Sequence, residues 1–156
     1  EMNQRAFGER VTVMQGSLYR VAASYLRGES DRLDAVAEAI AKAWEKRQTL
    51  RDEALFATWM TRILIRVCVD MQRRQKRLIP TDDVAEKPAE DEKIATLREA
   101  IDSLPQKART MIVLHYMEGY GVREIAKMMG MTKGAVCAGL SRARDKLRAY
   151  LEEDER

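Results

Sequence analysis

The chain has 156 residues, 34% charged and 46% hydrophobic, with a formal net charge of +3. That is the length of one domain or two small ones and an ordinary soluble composition. No apolar run nears the ~20 residues a bilayer span needs, which excludes membrane insertion through such a helix, and two cysteines with no metal spacing exclude a disulfide framework or a structural metal site.

With Cys68 and Cys137 as its only cysteines, the chain is expected in the reduced cytosol. Its charged, mixed N-terminus is not that of a signal peptide. Three prolines and eight glycines, with little alternation of β-branched and polar residues, predict an all-α protein. Lys and Arg outnumber acids in residues 1–79 and 94–156, whereas acids dominate residues 80–93. Two basic blocks around an acidic spacer suit a polyanion gripped at two places.

In chain order, Val11, Met14, Leu18, Val21, Ala22 and Tyr25 recur at helical spacing within residues 5–27. Gly28, Glu29 and Ser30 are expected to end that helix and Asp31 to cap the next. The second helix would bury Leu33, Val36, Ala37, Ile40 and Trp44 on one face. Arg47 to Asp52 reads as a polar connection. A long helix is then predicted from about Glu53 to Arg77, with Phe56, Met60, Ile63, Val67 and Met71 inward. Arg62, Arg66, Arg73 and Arg77 fall on its outer face, widened by Arg74 and Lys76. Such a helix fits a phosphate-binding rod. Thr58 and Trp59 stand near its start, where an aromatic ring could stack on an exposed base or simply join the core.

The segment 80–93, acidic and interrupted by Pro88, reads as a flexible linker between two small helical domains, 1–79 and 94–156. The second domain opens with a helix from about Lys93 to Ser103, apolar at Ile94, Leu97, Ala100, Ile101 and Leu104. Pro105 suits the first position of the next helix, which carries Ala108, Met111, Ile112, Leu114, His115 and Tyr116 and closes at Glu118 and Gly119. A helix-turn-helix follows. Its first helix would run from about Val122 to Met129, break at Gly130, and give way to a helix capped by Thr132 and running from near Lys133 to about Leu151. Small Ala126 lets the pair approach, and Ile125, Val136 and Leu140 fill the angle. The second helix of such a unit can enter the DNA major groove. Its continuation, with Ser141, Arg142, Arg144, Lys146 and Arg148, suits phosphate contact.

No catalytic set is read from this sequence, and no cofactor or metal is expected. His115 is the only histidine, and a lone helical histidine reads as a packed side chain rather than a base. Asp34 and Glu38 form an (i, i+4) carboxylate pair that reads as a contact surface.

These residues resemble a bacterial extracytoplasmic-function sigma factor, the small RNA polymerase subunit type built from region 2 and region 4. In the first domain the likeness is carried by LYRVAASYL, by Asp34, Val36, Glu38, Lys42, Ala43 and Trp44, and by FATWMTRILIRVCVDMQRRQKRLIP. In the second it is carried by LREAIDSLPQKARTMIVLHYMEGYGVREIAKMMGMTKGAV and LSRARDKL. The resemblance implies a promoter-specificity subunit with core RNA polymerase, promoter DNA and an anti-sigma factor as partners. It places polymerase docking on Asp34, Glu38 and Trp44. It places minus-ten DNA on Thr58, Trp59, Arg62, Arg66, Asp70, Arg73 and Arg74. The minus-thirty-five duplex falls to Lys133 through Arg144, with Thr132, Lys133, Ser141, Arg142 and Arg144 as contacts.

The chain departs from the family pattern at Leu33, Ala37 and Arg66. It departs again at Cys137, Ala138 and Gly139, which lack the side chains that make bidentate base contacts. That last departure keeps open a sigma-like decoy with weak DNA binding. A free-standing helix-turn-helix regulator is a further alternative.

Overall fold

The computed structural model describes residues 2–78 and 92–154. Among them every regular element is helical, and they divide into two units. The expected linker 80–93 lies outside the described residues except for Glu92 and Lys93, which already belong to a helix.

The first unit is built from α1 (Gln4–Ala23), α2 (Glu29–Glu45) and α3 (Phe56–Leu78). Asn3 caps α1 by accepting from the Ala6 N–H at 2.9 Å. Phe7, Val11, Met14, Leu18, Val21 and Ala22 are buried along one face of α1, as the helical spacing predicts. The helix stops earlier than expected. Ser24 Oγ donates to the Val21 carbonyl at 2.6 Å, a local bond that competes with helix propagation. Tyr25 and Leu26 then turn back, both bonding the Ala22 carbonyl, and both are buried.

Two expectations for α2 are corrected. Gly28, not Asp31, occupies the N-cap. Asp31 lies in the first turn, where acidic groups favour the helix dipole, and accepts from Gln75 Nε2 at 2.9 Å. The buried face is Ala35, Ala39 and Ala43, while Leu33 is 53% exposed and Ala37 is exposed. Alanines four residues apart let α2 lie close against its neighbours, and Val36, Ile40 and Trp44 flank that line half-buried. The bulky residues mark the margins of the contact rather than its centre.

The long helix is preceded by a 3-10 turn at Glu53–Leu55, started by Asp52 accepting from the Ala54 N–H at 3.0 Å. Phe56, Met60, Leu64, Val67 and Cys68 are buried along α3, with Thr61 and Ile65. Ile63 and Met71, expected inward, are half-buried. Aromatic rings close one end of the core. Phe7 meets Trp44 at 5.3 Å and Phe56 at 5.9 Å, both edge-on, geometries the ring quadrupoles favour.

The second unit contains α4 (Glu92–Asp102), α5 (Gln106–Ile112), a single π turn (Val113–Met117), α6 (Val122–Met129) as far as Ala126, and α7 (Lys133–Asp154). Pro105 is the N-cap of α5, one place before the expected first helical position. Ala100 and Leu104 are buried as predicted, but Leu97 is 48% exposed. Thr110, Met111, Ile112, Val113 and Leu114 form a continuous buried run, and α7 packs on α4 and α5. At the end of this run the helix widens into the π turn, a rearrangement with no signature in the apolar spacing.

Candidate nucleic-acid interface

The outward side of α3 is a row of charges. Arg62, Arg66, Asp70, Arg73, Arg74, Lys76 and Arg77 are all exposed. At 1.5 Å per residue, Arg62 and Arg66 stand about 6 Å apart along the axis, and the row to Arg77 extends about 22 Å. Only one carboxylate, Asp70, interrupts it. A line of guanidinium groups on a rigid helix concentrates positive potential where a polyanion strand can follow it.

Trp59 lies at the N-terminal end of this row, half-buried. Its ring tilts against Phe56 at 5.7 Å, and its indole Nε1–H donates to Thr49 Oγ1 at 3.2 Å. That hydroxyl in turn donates to the Lys46 carbonyl at 2.7 Å. The indole is therefore held by two elements, and Thr58 beside it is half-buried. Thr49 went unnoticed in the sequence because ten positions separate it from Trp59 and no spacing rule links them.

The α2 carboxylates occupy the opposite kind of surface. Asp34 is exposed, and Glu38 pairs with Lys42 Nζ at 3.3 Å one turn on. Trp44 does not join them. It packs on Phe7, with the Arg47 guanidinium 3.9 Å above its ring, a cation–π arrangement. Trp44 thus anchors α2 to α1.

In the second unit the turn between α6 and α7 follows the predicted chemistry. Gly121 N–H donates to Glu124 Oε1 at 3.2 Å at the start of α6. Gly130 closes α6 with φ +64, the left-handed conformation that glycine adopts without strain. Thr132 Oγ1 accepts from the Ala135 N–H at 3.1 Å. Ile125, Val136 and Leu140 are buried as expected.

Lys133, Ser141, Arg142 and Arg144 are exposed on α7, with Thr132 at its start. Cys137 and Ala138 share that outward surface, but Gly139 does not. It is buried, and a β-carbon there would meet Met111. The expectation that Gly139 lies on the DNA-facing side is therefore corrected: it is the point where α7 closes on α5. Arg123 and Lys127 add exposed cations on α6, legible as an (i, i+4) pair but not singled out.

His115 Nδ1 is 2.9 Å from the Tyr120 carbonyl, which only accepts, so the ring donates and locks the π turn to the segment before α6. Both cysteines are free thiols. Burial pushes the Cys68 thiol from 9.0 up to about 12. Among the described residues no helix is long and apolar enough to cross a membrane.

Two family models match the chain in order. Sigma-70 region 2 matches residues 11–78, and Sigma-70, region 4 matches residues 94–147. The RNA polymerase sigma factor SigV of Bacillus subtilis (strain 168) is 33% identical over 150 residues, spanning 93% of this chain and 90% of that protein. The ECF RNA polymerase sigma factor SigM of Mycobacterium tuberculosis is 31% identical, spanning 86% of this chain and 71% of that protein. Among solved structures, CnrH in complex with the cytosolic domain of CnrY aligns with a TM-score of 0.75 at 29% identity, covering 97% of this chain and 91% of that one. The sigma factor RpoE of Bartonella quintana, in complex with the anti-sigma factor NepR, shares the fold. It aligns with a TM-score of 0.83 at 22% identity, over 94% of this chain and 96% of that one.

Proposed function

This chain belongs to the ECF-type RNA polymerase sigma factors, and from that premise we propose how its two units divide promoter recognition. It binds core RNA polymerase and directs promoter-specific initiation. The observation that carries the reading is the occurrence of region 2 and region 4 in order, the first with a cation row along α3 and the second with a capped helix-turn-helix.

The first unit docks on polymerase through the carboxylates Asp34 and Glu38 of α2, with Trp44 holding that helix in place. Its α3 row engages the minus-ten element. Arg62, Arg66, Arg73 and Arg74 bind phosphates, and Trp59, with Thr58 beside it, offers an aromatic face to an unstacked base. Stacking contributes roughly 1–3 kcal/mol per base, comparable to the cost of unstacking one. Strand opening thus needs no catalytic residue. The second unit lays α7 along the minus-thirty-five duplex, with Thr132, Lys133, Ser141, Arg142 and Arg144 as contacts. The CnrH and RpoE neighbours are held by CnrY and by an anti-sigma factor respectively, and an anti-sigma factor is the corresponding control on this chain.

The test is reconstitution of the full chain with core polymerase and a panel of promoter fragments, scored by run-off transcripts. Specific initiation on a subset of promoters is expected. Polymerase binding without initiation on any fragment would instead favour a decoy, and DNA binding indifferent to polymerase would favour a free-standing regulator.

A further inference from the structure

One arginine of α7 is held from outside its own helix. Arg144 Nη1 donates to Tyr116 Oη at 3.0 Å across 28 positions of sequence. Tyr116 stands in the π turn beside His115. It meets His115 edge-on at 4.8 Å, and His115 is tied to the Tyr120 carbonyl, while the Tyr120 N–H returns to the Leu114 carbonyl at 2.9 Å. A set of short contacts therefore runs from the backbone before α6 to a guanidinium on α7. Tyr116 is 55% exposed, so apolar burial does not account for its place, whereas its hydroxyl has a defined partner.

A surface arginine on a bare helix samples many rotamers, and that freedom is lost when it grips a phosphate. A guanidinium carries five N–H donors. The bond to Tyr116 uses one and leaves the others for a ligand, with the plane of the group already set. We propose that Tyr116 is a positioning residue that presents Arg144 to a backbone phosphate of the duplex on α7. This rests on the reading of Arg144 as a DNA contact.

The experiment uses the full chain with core polymerase and a labelled promoter fragment that supports run-off initiation, titrated at several salt concentrations. Tyr116→Phe keeps the ring and removes one oxygen, and its thermal unfolding is expected to match the wild type. It should weaken promoter binding about threefold, a share of what a hydrogen bond to a charged group contributes. Arg144→Ala should weaken binding roughly tenfold and reduce the salt slope by about one, and Arg144→Lys should restore the slope. The double variant should bind no more weakly than Arg144→Ala alone, the mark of two groups acting through one contact. Wild-type or tighter binding by Tyr116→Phe, or a loss fully additive with that of Arg144→Ala, overturns the proposal. An unchanged slope in Arg144→Ala overturns the underlying placement of Arg144, and the run-off assay then shows separately whether initiation itself stands.

Discussion

Gly139 lies directly against Met111: a β-carbon at position 139 would sit 2.6 Å from the Met111 Sδ and 3.0 Å from its Cε. Met111 is itself only 3% exposed, so its thioether has little room to withdraw. Two effects oppose each other in Gly139→Ala. Alanine favours the helix by up to about 1 kcal/mol, and overpacking a core costs about 1–3 kcal/mol, moderated by the flexibility of methionine. The net expectation is a loss of about 1 kcal/mol in the urea unfolding of the second unit, and clearly more for Gly139→Val. Met111→Ala combined with Gly139→Ala should cost less than the sum of the two, because the space vacated by the thioether receives the new methyl group. Strict additivity would contradict this packing.

The two thiols should behave as opposites. Cys137 is exposed, whereas Cys68 is fully buried with its thiol pushed up to about 12. A disulfide-exchange reagent at pH 8 is expected to titrate one thiol in the native protein and two after denaturation, since only an accessible thiolate reacts. The sign of the pH effect follows from the raised value. The native state holds the Cys68 proton more tightly than the unfolded chain does. Its contribution is thus complete below pH 9 and is lost as pH rises from 9 toward 12. Above pH 9 the wild type should lose stability relative to Cys68→Val at a rate approaching about 1.4 kcal/mol per pH unit. Parallel curves for the two proteins would rule the buried thiol out as the cause.

Much of the fold was legible because helical spacing and capping chemistry are local. Ile125, Val136 and Leu140, the Gly130 break and the Thr132 cap all follow from short-range rules, and all are where those rules put them. The misread faces share one origin, which is that partners distant in sequence decide which side is inward. Ala35, Ala39 and Ala43 are buried rather than Leu33 because close helix approach rewards small side chains. Gly139 reads in sequence as a gap in a DNA-facing surface, whereas in the fold it lies against Met111. The candidate site was legible to the same degree. Arg62, Arg66 and Arg73 announce an exposed row by spacing alone, but Thr49 on Trp59 and Tyr116 on Arg144 are visible only in three dimensions.

Thr132 permits a separation of stability from DNA contact. Its Oγ1 satisfies a free N–H at the start of α7, and Thr132→Ala is expected to cost about 1 kcal/mol of the second unit's stability. Thr132→Ser should be close to neutral. Thr132→Asp retains a capping oxygen and adds a charge that suits the helix dipole, so the unit should stay as stable as the wild type or gain slightly. The same carboxylate would face DNA phosphates if Thr132 lies at the groove. Thr132→Asp should therefore bind promoter DNA markedly more weakly despite its intact fold, with the deficit growing as salt is lowered. Undiminished binding by this variant would place the N-terminus of α7 away from the duplex.

The charge row on α3 makes a claim about which step of initiation it serves. Arg62 and Arg66 are exposed and about one turn apart, whereas the α2 carboxylates assigned to polymerase docking belong to another helix. Arg62→Ala with Arg66→Ala should therefore leave assembly with core polymerase within about twofold of wild type. Strand opening, read by permanganate reactivity of unpaired thymines or by open-complex lifetime, should fall by roughly tenfold or more. Each phosphate contact removed from a single strand lowers the salt slope by about 0.7, so the double variant should lose between one and two units of slope if both residues grip the backbone. Trp59→Ala supplies the complementary case. It should reduce opening while leaving the slope unchanged, because stacking releases no counterions. Since Trp59 also packs on Phe56, Trp59→Phe is the fairer comparison, retaining an aromatic face while losing the bond to Thr49. A loss of opening no greater than the variant's loss of polymerase binding would move this helix from the DNA to the polymerase interface.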